Sequence, residues 1–172
     1  MQLIVDDLVQ DKKFHEDNTR HYKLVVTGTD PVPIEISEGG GVISRADLAT
    51  SHEEADNVIV QQVLSCAAEN AENKITVVAE DTDVFVLLLH YHHMANLKNV
   101  VLMESPIKGR TVVDIGKTVQ KHSEIVEGIL PAHALSGCDT VASYFGIGKA
   151  TLLKTLRSGH SLKLLGAPGH SM

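Results

Sequence analysis

Ile75 to Ala79 is a short apolar, β-branched run that stops at the acidic turn Glu80 to Asp83, and the apolar stretch Val84 to His93 follows at once. A run of that length, bounded by Asn73 on one side and the acidic turn on the other, reads as a buried strand. Periodicity leaves Val84 to His93 open between strand and helix. The Asp81-Thr82-Asp83 turn before it has the character of a helix start and favours a helix. The chain therefore reads as a strand feeding a helix through acidic residues, and this alternation constrains the rest of the fold.

The pattern continues in both directions. Thr50 with Glu53 and Ser51 with Glu54 fit the Ser/Thr-x-x-Glu capping box, and Ala55, Ile59, Val63, Cys66 and Ala67 recur near the helical period, which predicts a helix from about Glu53 to Glu69. Asn99 to Met103 and Thr111 to Val113 read as strands. Ile115 to His122 and Glu124 to Leu135 read as helices divided near Ser123, and Thr140 to Leu156 as a helical pair about Gly146 to Gly148. Alternating strands and helices point to an α/β fold with parallel pairing. The first 45 residues differ: Leu3 to Val9, Tyr22 to Thr27, Val32 to Ile36 and Val42 to Ser44 are short strands separated by glycine and proline turns.

Composition narrows the class. A chain of 172 residues is close to the ~150 expected of one domain, and 43% apolar with 22% charged residues is enough to bury a core. The longest uncharged apolar run, Val84 to Leu89 and the residues after it, falls far short of the ~18 residues of a membrane span. No membrane association is expected. Asp6 and Asp7 stand where a secretory signal needs an apolar stretch, and only Cys66 and Cys138 are present, so an intracellular, reducing location is expected. The net charge is −7, yet residues 140–172 carry no acid and four bases, Lys149, Lys154, Arg157 and Lys163. An acidic body with a basic end fits a cation-binding carboxylate site beside a phosphate-binding surface; a solvated surface has the same sums.

Three acidic groups stand at the ends of these elements: Glu53, Glu54 and Asp56 at the opening of a helix, Asp81 and Asp83 at the carboxyl end of a strand, and Asp139 in Gly137-Cys138-Asp139. Ligand crevices of α/β proteins form at those places. Taken singly, each group is explained by the helix dipole or by turn formation. Taken together, so many carboxylates repel one another unless hard cations hold them, which points to Mg²⁺ or Mn²⁺ and metal-dependent phosphoryl chemistry. Residues two apart do not share a helix face, so Glu54 and Asp56 reach one cluster only through an irregular first turn or a water, whereas Glu53 and Asp56 share a face. The role of Glu53 stays open. Gly146-Ile147-Gly148-Lys149 before a helix permits close backbone approach to a phosphate, and a tight turn between helices explains the same residues.

These segments resemble a known family. LSGCDTVASYFGIGKATLLKTL, Leu135 to Leu156, is similar to the end of the nuclease domain and the helical DNA-backbone motif of the flap endonuclease and PIN-like nucleases. HEEADNVIVQQ, His52 to Gln62, resembles that family's Glu-Ala-Glu/Asp helix, and VVAEDTDVFVLLLH, Val77 to His90, its Asp-x-Asp strand end. Order and spacing agree. The phrases EEADN, EDTDV and LPAHALSGCDTVASYFGIGKATLLKTL are closest to the mobile-element-associated PIN-like proteins of animal genomes, and the resemblance spans about Ser51 to Gly166. It implies a PIN-like parallel sheet with flanking helices and a C-terminal helix-hairpin-helix-type motif. The corresponding divisions are a partial N-terminal strand and loop region at 1–50, a nuclease core at 51–139, a helical DNA-binding motif at 140–166 and a tail at 167–172.

What the resemblance implies for chemistry is a nuclease using two divalent ions, Mg or Mn, on structured DNA in preference to RNA, and a nuclear rather than cytoplasmic location. Glu54, Asp56, Asp81, Asp83 and Asp139 would be the catalytic, metal-binding carboxylates. Gly146, Ile147 and Gly148 would face the DNA backbone, with a monovalent cation at the helical hairpin, and Lys149 and Lys154 would contact phosphates. The family's domain begins with an Asp on its first strand and carries another on an early strand. Leu24 to Thr27 resembles the later of these, with Thr27 and Gly28 where the Asp is expected and Asp6, Asp7 and Asp30 as unmatched substitutes. About 25 residues separate that strand from Glu53, too few for the helical arch that threads single strands. On this reading the domain lacks its N-terminal strand and helix and is a weak nuclease alone. A catalytically dead nucleic-acid-binding or protein-interaction module is the alternative. Asp81-Thr82-Asp83-Val84 also resembles the first motif of haloacid-dehalogenase-like phosphatases, which usually opens its domain rather than lying in mid-chain. His90, His92 and His93 have no evident zinc partner set, and Cys138 near His133 reads as a buried small residue, not a nucleophile.

Overall fold

The computed structural model describes Gln10 and residues 23–28, 30–37, 41–49, 55–137 and 148–162. The chain divides into two compact units, Met1–Glu54 and Ala55–Met172. In the first, β1 (Leu24–Val26), β2 (Ile34–Ile36) and β3 (Val42–Ser44) form an antiparallel sheet in that order, followed by a 3-10 turn at Ala46–Leu48. Its connections are a few residues long, which allows hairpins and not crossovers. Glu35 in β2 is buried, and Arg45 donates to it at 2.6 Å while also gripping Asp47 at 2.7 Å. Hydrogen bonds from Arg45 hold the Asp47 carboxyl below its ordinary range.

The second unit is α/β. Its elements are α1 (Ala55–Glu69), β4 (Lys74–Val78), α2 (Thr82–Met94), β5 (Val100–Glu104), β6 (Val113–Asp114), α3 (Ile115–Lys121), α4 (Val126–Ser136) and α5 (Lys149–Arg157). β4 pairs parallel with β5 through the α2 crossover, in the register Ile75↔Val101 and Val77↔Met103. α2 buries Val84, Val86, Leu88 and Leu89 and packs against α1, α3 and α4, so the helical reading of Val84 to His93 holds. Being apolar around most of its circumference, it is the central helix of the unit. Val60, Val63, Val101, Met103, Ile115 and Val126 close the core around it. Ile125 and Ala132 meet Leu152 and Leu156 of α5 in a second, smaller cluster.

Two expectations need correction. The sheet is not parallel throughout, because β6 runs antiparallel to β5. The loop between them spans 105–112, too short for the dozen or more residues a parallel crossover needs. Nor is β4 a buried strand: Val77 is enclosed, but Lys74, Thr76 and Val78 are exposed, Val78 to 64%. Among the described residues β4 is the end strand of the order β4-β5-β6. Its alternate residues Ile75 and Val77 join Val101 and Met103 on the face that the helices cover, and the other face stays open. Among the described residues no helix is long and apolar enough to cross a membrane. The first member of the helical pair expected over Thr140 to Leu156 lies outside the described residues, as do Leu3 to Val9.

Candidate metal centre

β4 ends at Val78, and the Ala79 N–H still donates to the Glu104 carbonyl, so the sheet carries the chain straight to Glu80 and Asp81. Asp81 is the N-cap of α2. Its backbone is extended, and its carboxylate accepts the Asp83 N–H at 2.7 Å, satisfying a donor that the first helical turn leaves unpaired. Asp83 follows in that first turn, and Asp56 stands in the first turn of α1. Each of these three residues offers an oxygen, and the three oxygens lie within 4.8 Å of one another. Such a donor set can hold a hard cation such as Mg²⁺ or Mn²⁺, which takes oxygen ligands.

Asp83 has a second attachment. His133, on α4, places Nε2 2.7 Å from Asp83 Oδ1, and the imidazole is only 9% exposed. A carboxylate accepts, so Nε2 carries the hydrogen, and one oxygen of Asp83 is fixed from behind by a buried ring. His133 was read from the sequence only as a neighbour of Cys138. The available signal was its position in Ile129 to Leu135, an otherwise apolar helical run, where a buried ring nitrogen needs a partner.

On the other side of Asp81 a small cleft opens between the ends of β4 and β5 and the 105–112 loop. Glu80 and Arg110 both line it, and the two are ion-paired. Ser105 Oγ donates to the same Glu80 oxygen at 2.9 Å, and Phe85 and Met103 add apolar lining.

The remaining expected site residues divide in two. Glu54, Asp139, Gly146 and Ile147 lie outside the described residues, as does Glu53. Gly148 caps α5 in extended conformation, and a Cβ there would meet nothing within 4 Å, so crowding does not explain that glycine. Lys149 and Lys154 are exposed on α5, which buries Leu152 and Leu156. The three histidines of α2 form no metal-ligand group among the described residues. His92 is instead buried near Asp114 and Gly116, its Nε2 without a hydrogen-bond partner among the described residues. No protein-family model, curated protein or solved structure matches this chain.

Proposed function

We propose that this chain is a divalent-metal-dependent nuclease domain of the flap endonuclease and PIN-like type, acting on phosphodiester bonds of structured DNA in preference to RNA. One observation carries the reading: Asp56 and the pair Asp81 and Asp83, from two segments singled out independently in the sequence, converge within 4.8 Å at the carboxyl end of β4. The donor set fits the group. Three carboxylates without thiolate or imidazole suit Mg²⁺ or Mn²⁺ over softer metals. Two such ions, held there, would supply an activated water and charge neutralisation at the leaving oxygen.

The side chains have separable tasks in this scheme. Asp56, Asp81 and Asp83 hold the cations, with Glu54 and Asp139 as the further carboxylates that the family resemblance nominates. Asp81 also anchors the start of α2 through its bond to the Asp83 N–H, so the ligand set and the helix are fixed by the same contact. Lys149 and Lys154 on α5 present positive charge for a duplex backbone.

Thermal melts with and without millimolar Mn²⁺ test the site. Stabilisation by mass action is expected, about 2.7 kcal/mol at a hundredfold excess over Kd, and Asp83→Ala should abolish it. An equal shift in Asp83→Ala removes the shared site. Hydrolysis of labelled single-stranded, duplex and branched DNA in Mn²⁺ tests the chemistry, with Asp81→Ala as the control. Metal stabilisation without any cleavage lost in Asp81→Ala would favour the catalytically dead nucleic-acid-binding module.

A further inference from the structure

The cleft beside the acidic cluster has a cationic side chain that metal binding does not use. Arg110 sits on the 105–112 loop, its side chain 60% exposed, and its partner in this structure is Glu80, the residue before Asp81. Ser105 Oγ donates to the same Glu80 oxygen and accepts the Ile107 N–H at 3.0 Å, so the loop is tied to the strand end through that one carboxylate. Thr82 and Thr111 also line the cleft, as do the apolar side chains of Phe85 and Met103. Its polar lining thus offers a guanidinium and several hydroxyls beside apolar side chains.

We propose that this cleft is a phosphate-ester site, in which Arg110 leaves Glu80 to grip a phosphate while the attached sugar or base rests on Phe85 and Met103. The proposal rests on the nuclease reading and names the residues that would hold its substrate. Three features carry it. Guanidinium groups bind phosphate with paired N–H donors, and here the group is accessible and not enclosed in the core. The cavity of about 240 Å³ is smaller than pockets for drug-sized ligands, roughly 300–1,000 Å³, which suits one unit of a chain that continues beyond it. Glu80 neutralises Arg110 in the absence of ligand and so competes with any anion for it. A cation held by Asp56, Asp81 and Asp83 would lower the negative potential that otherwise opposes an incoming phosphate.

The competition makes the test directional. The probe is a fluorescent thymidine tetranucleotide, its binding measured by anisotropy in Ca²⁺ buffer, with thymidine monophosphate and inorganic phosphate as competitors. Arg110→Ala should weaken binding by about five- to tenfold, the size of one partly exposed charge-assisted contact. Arg110→Lys should recover part of the loss. Glu80→Gln should tighten binding by about two- to fivefold, because the guanidinium no longer has a competing carboxylate. A purely structural tie predicts that both Arg110→Ala and Glu80→Gln weaken binding, since each releases the loop. That result overturns the site, as does unchanged affinity in Arg110→Ala or no gain in Glu80→Gln. A tetranucleotide that binds more tightly than the monophosphate assigns the cleft to a strand, and equal affinities assign it to a free nucleotide. Failure of the nuclease reading shows separately, as Mn²⁺ stabilisation that survives Asp83→Ala.

Discussion

The two ends of the β4–β5 pair treat their polar side chains in opposite ways. At the amino end, Asn99 is buried and donates to the main-chain oxygens of Asn70 at 2.9 Å and Asn73 at 3.2 Å, while Asn73 in turn donates to the Cys66 carbonyl. Those side chains reinforce the turn between α1 and β4, which the Asn73 N–H closes on the Asn70 carbonyl at 3.1 Å. At the carboxyl end, Asp56, Asp81 and Asp83 bring carboxylate oxygens within 4.8 Å of one another, and Arg110 and Glu80 are ion-paired at the neighbouring cleft. Neutral amides that complete backbone hydrogen bonds make a joint; carboxylates gathered this closely repel one another, and a cation held between them would relieve that repulsion. Strand direction decides which end has which character, because parallel strands bring their carboxyl ends, and the loops after them, to the same side.

The largest effect expected from breaking this contrast is at the joint. Asn99→Ala removes two hydrogen bonds, one to the half-buried Asn73 oxygen and one to the Asn70 oxygen, which keeps the Asn73 N–H, and should cost about 2–3 kcal/mol of stability. The gain from Mn²⁺ should be unchanged, because the site lies at the other end of the strands. Denaturant melts with and without Mn²⁺ read both quantities. Loss of the Mn²⁺ response in Asn99→Ala would show that the two ends are one cooperative unit and that the division drawn here is false.

The contrast also marks what the amino-acid sequence reveals. α2 and the Asp81 cap were legible because an apolar run behind Asp-x-Asp leaves few alternatives, and the strands β1 and β3 followed from β-branched residues between glycine and proline turns. Antiparallel β6 was legible in principle, since the 105–112 loop is too short for a crossover, but the alternation of elements argued for parallel pairing and outweighed loop length. The exposed face of β4 was not legible: Ile75 to Ala79 is apolar on both sides, and Val78 is exposed because it lies on the face that the helices do not cover, as Val100 of β5 also is. At the site, the grouping of Asp81 with Asp83 was local, and that of Asp56 with them followed from the repeated placement of acids at element ends. His133 depends on α4 crossing α2 fifty residues later in the chain, a contact no spacing encodes.

The next effect sharpens the carboxyl end. His133→Ala removes a buried hydrogen bond to Asp83 and opens space behind it, at a cost of about 1–2 kcal/mol. If His133 orients Asp83, Mn²⁺ affinity should also fall by roughly tenfold, as for other residues that position a ligand. His133→Gln can donate a similar hydrogen bond and should restore part of that affinity. Isothermal titration with Mn²⁺ separates the two roles, since a ring that merely fills space would change stability and leave affinity alone.

The smallest expected effect concerns the second buried imidazole, at the amino end. His92 is enclosed and its Nε2 has no hydrogen-bond partner among the described residues, whereas His133 is bonded to a carboxylate. Burial lowers the His92 pKa from its ordinary value, and the positive charge that His93 can carry acts in the same direction; a hydrogen bond to the Asn99 main chain and the Asp114 carboxylate oppose them. The native state therefore holds His92 neutral where the unfolded chain takes up a proton. Its contribution to stability is complete above the unfolded value of about 6.5 and is lost as pH falls through the lower folded value. His90, also lowered by burial, adds to the loss with the same sign. Melting temperature should fall between about pH 8 and about pH 5.5, and His92→Asn, which cannot take up the proton, should shrink that fall without eliminating it. An unchanged slope in His92→Asn would mean that the acid sensitivity originates elsewhere.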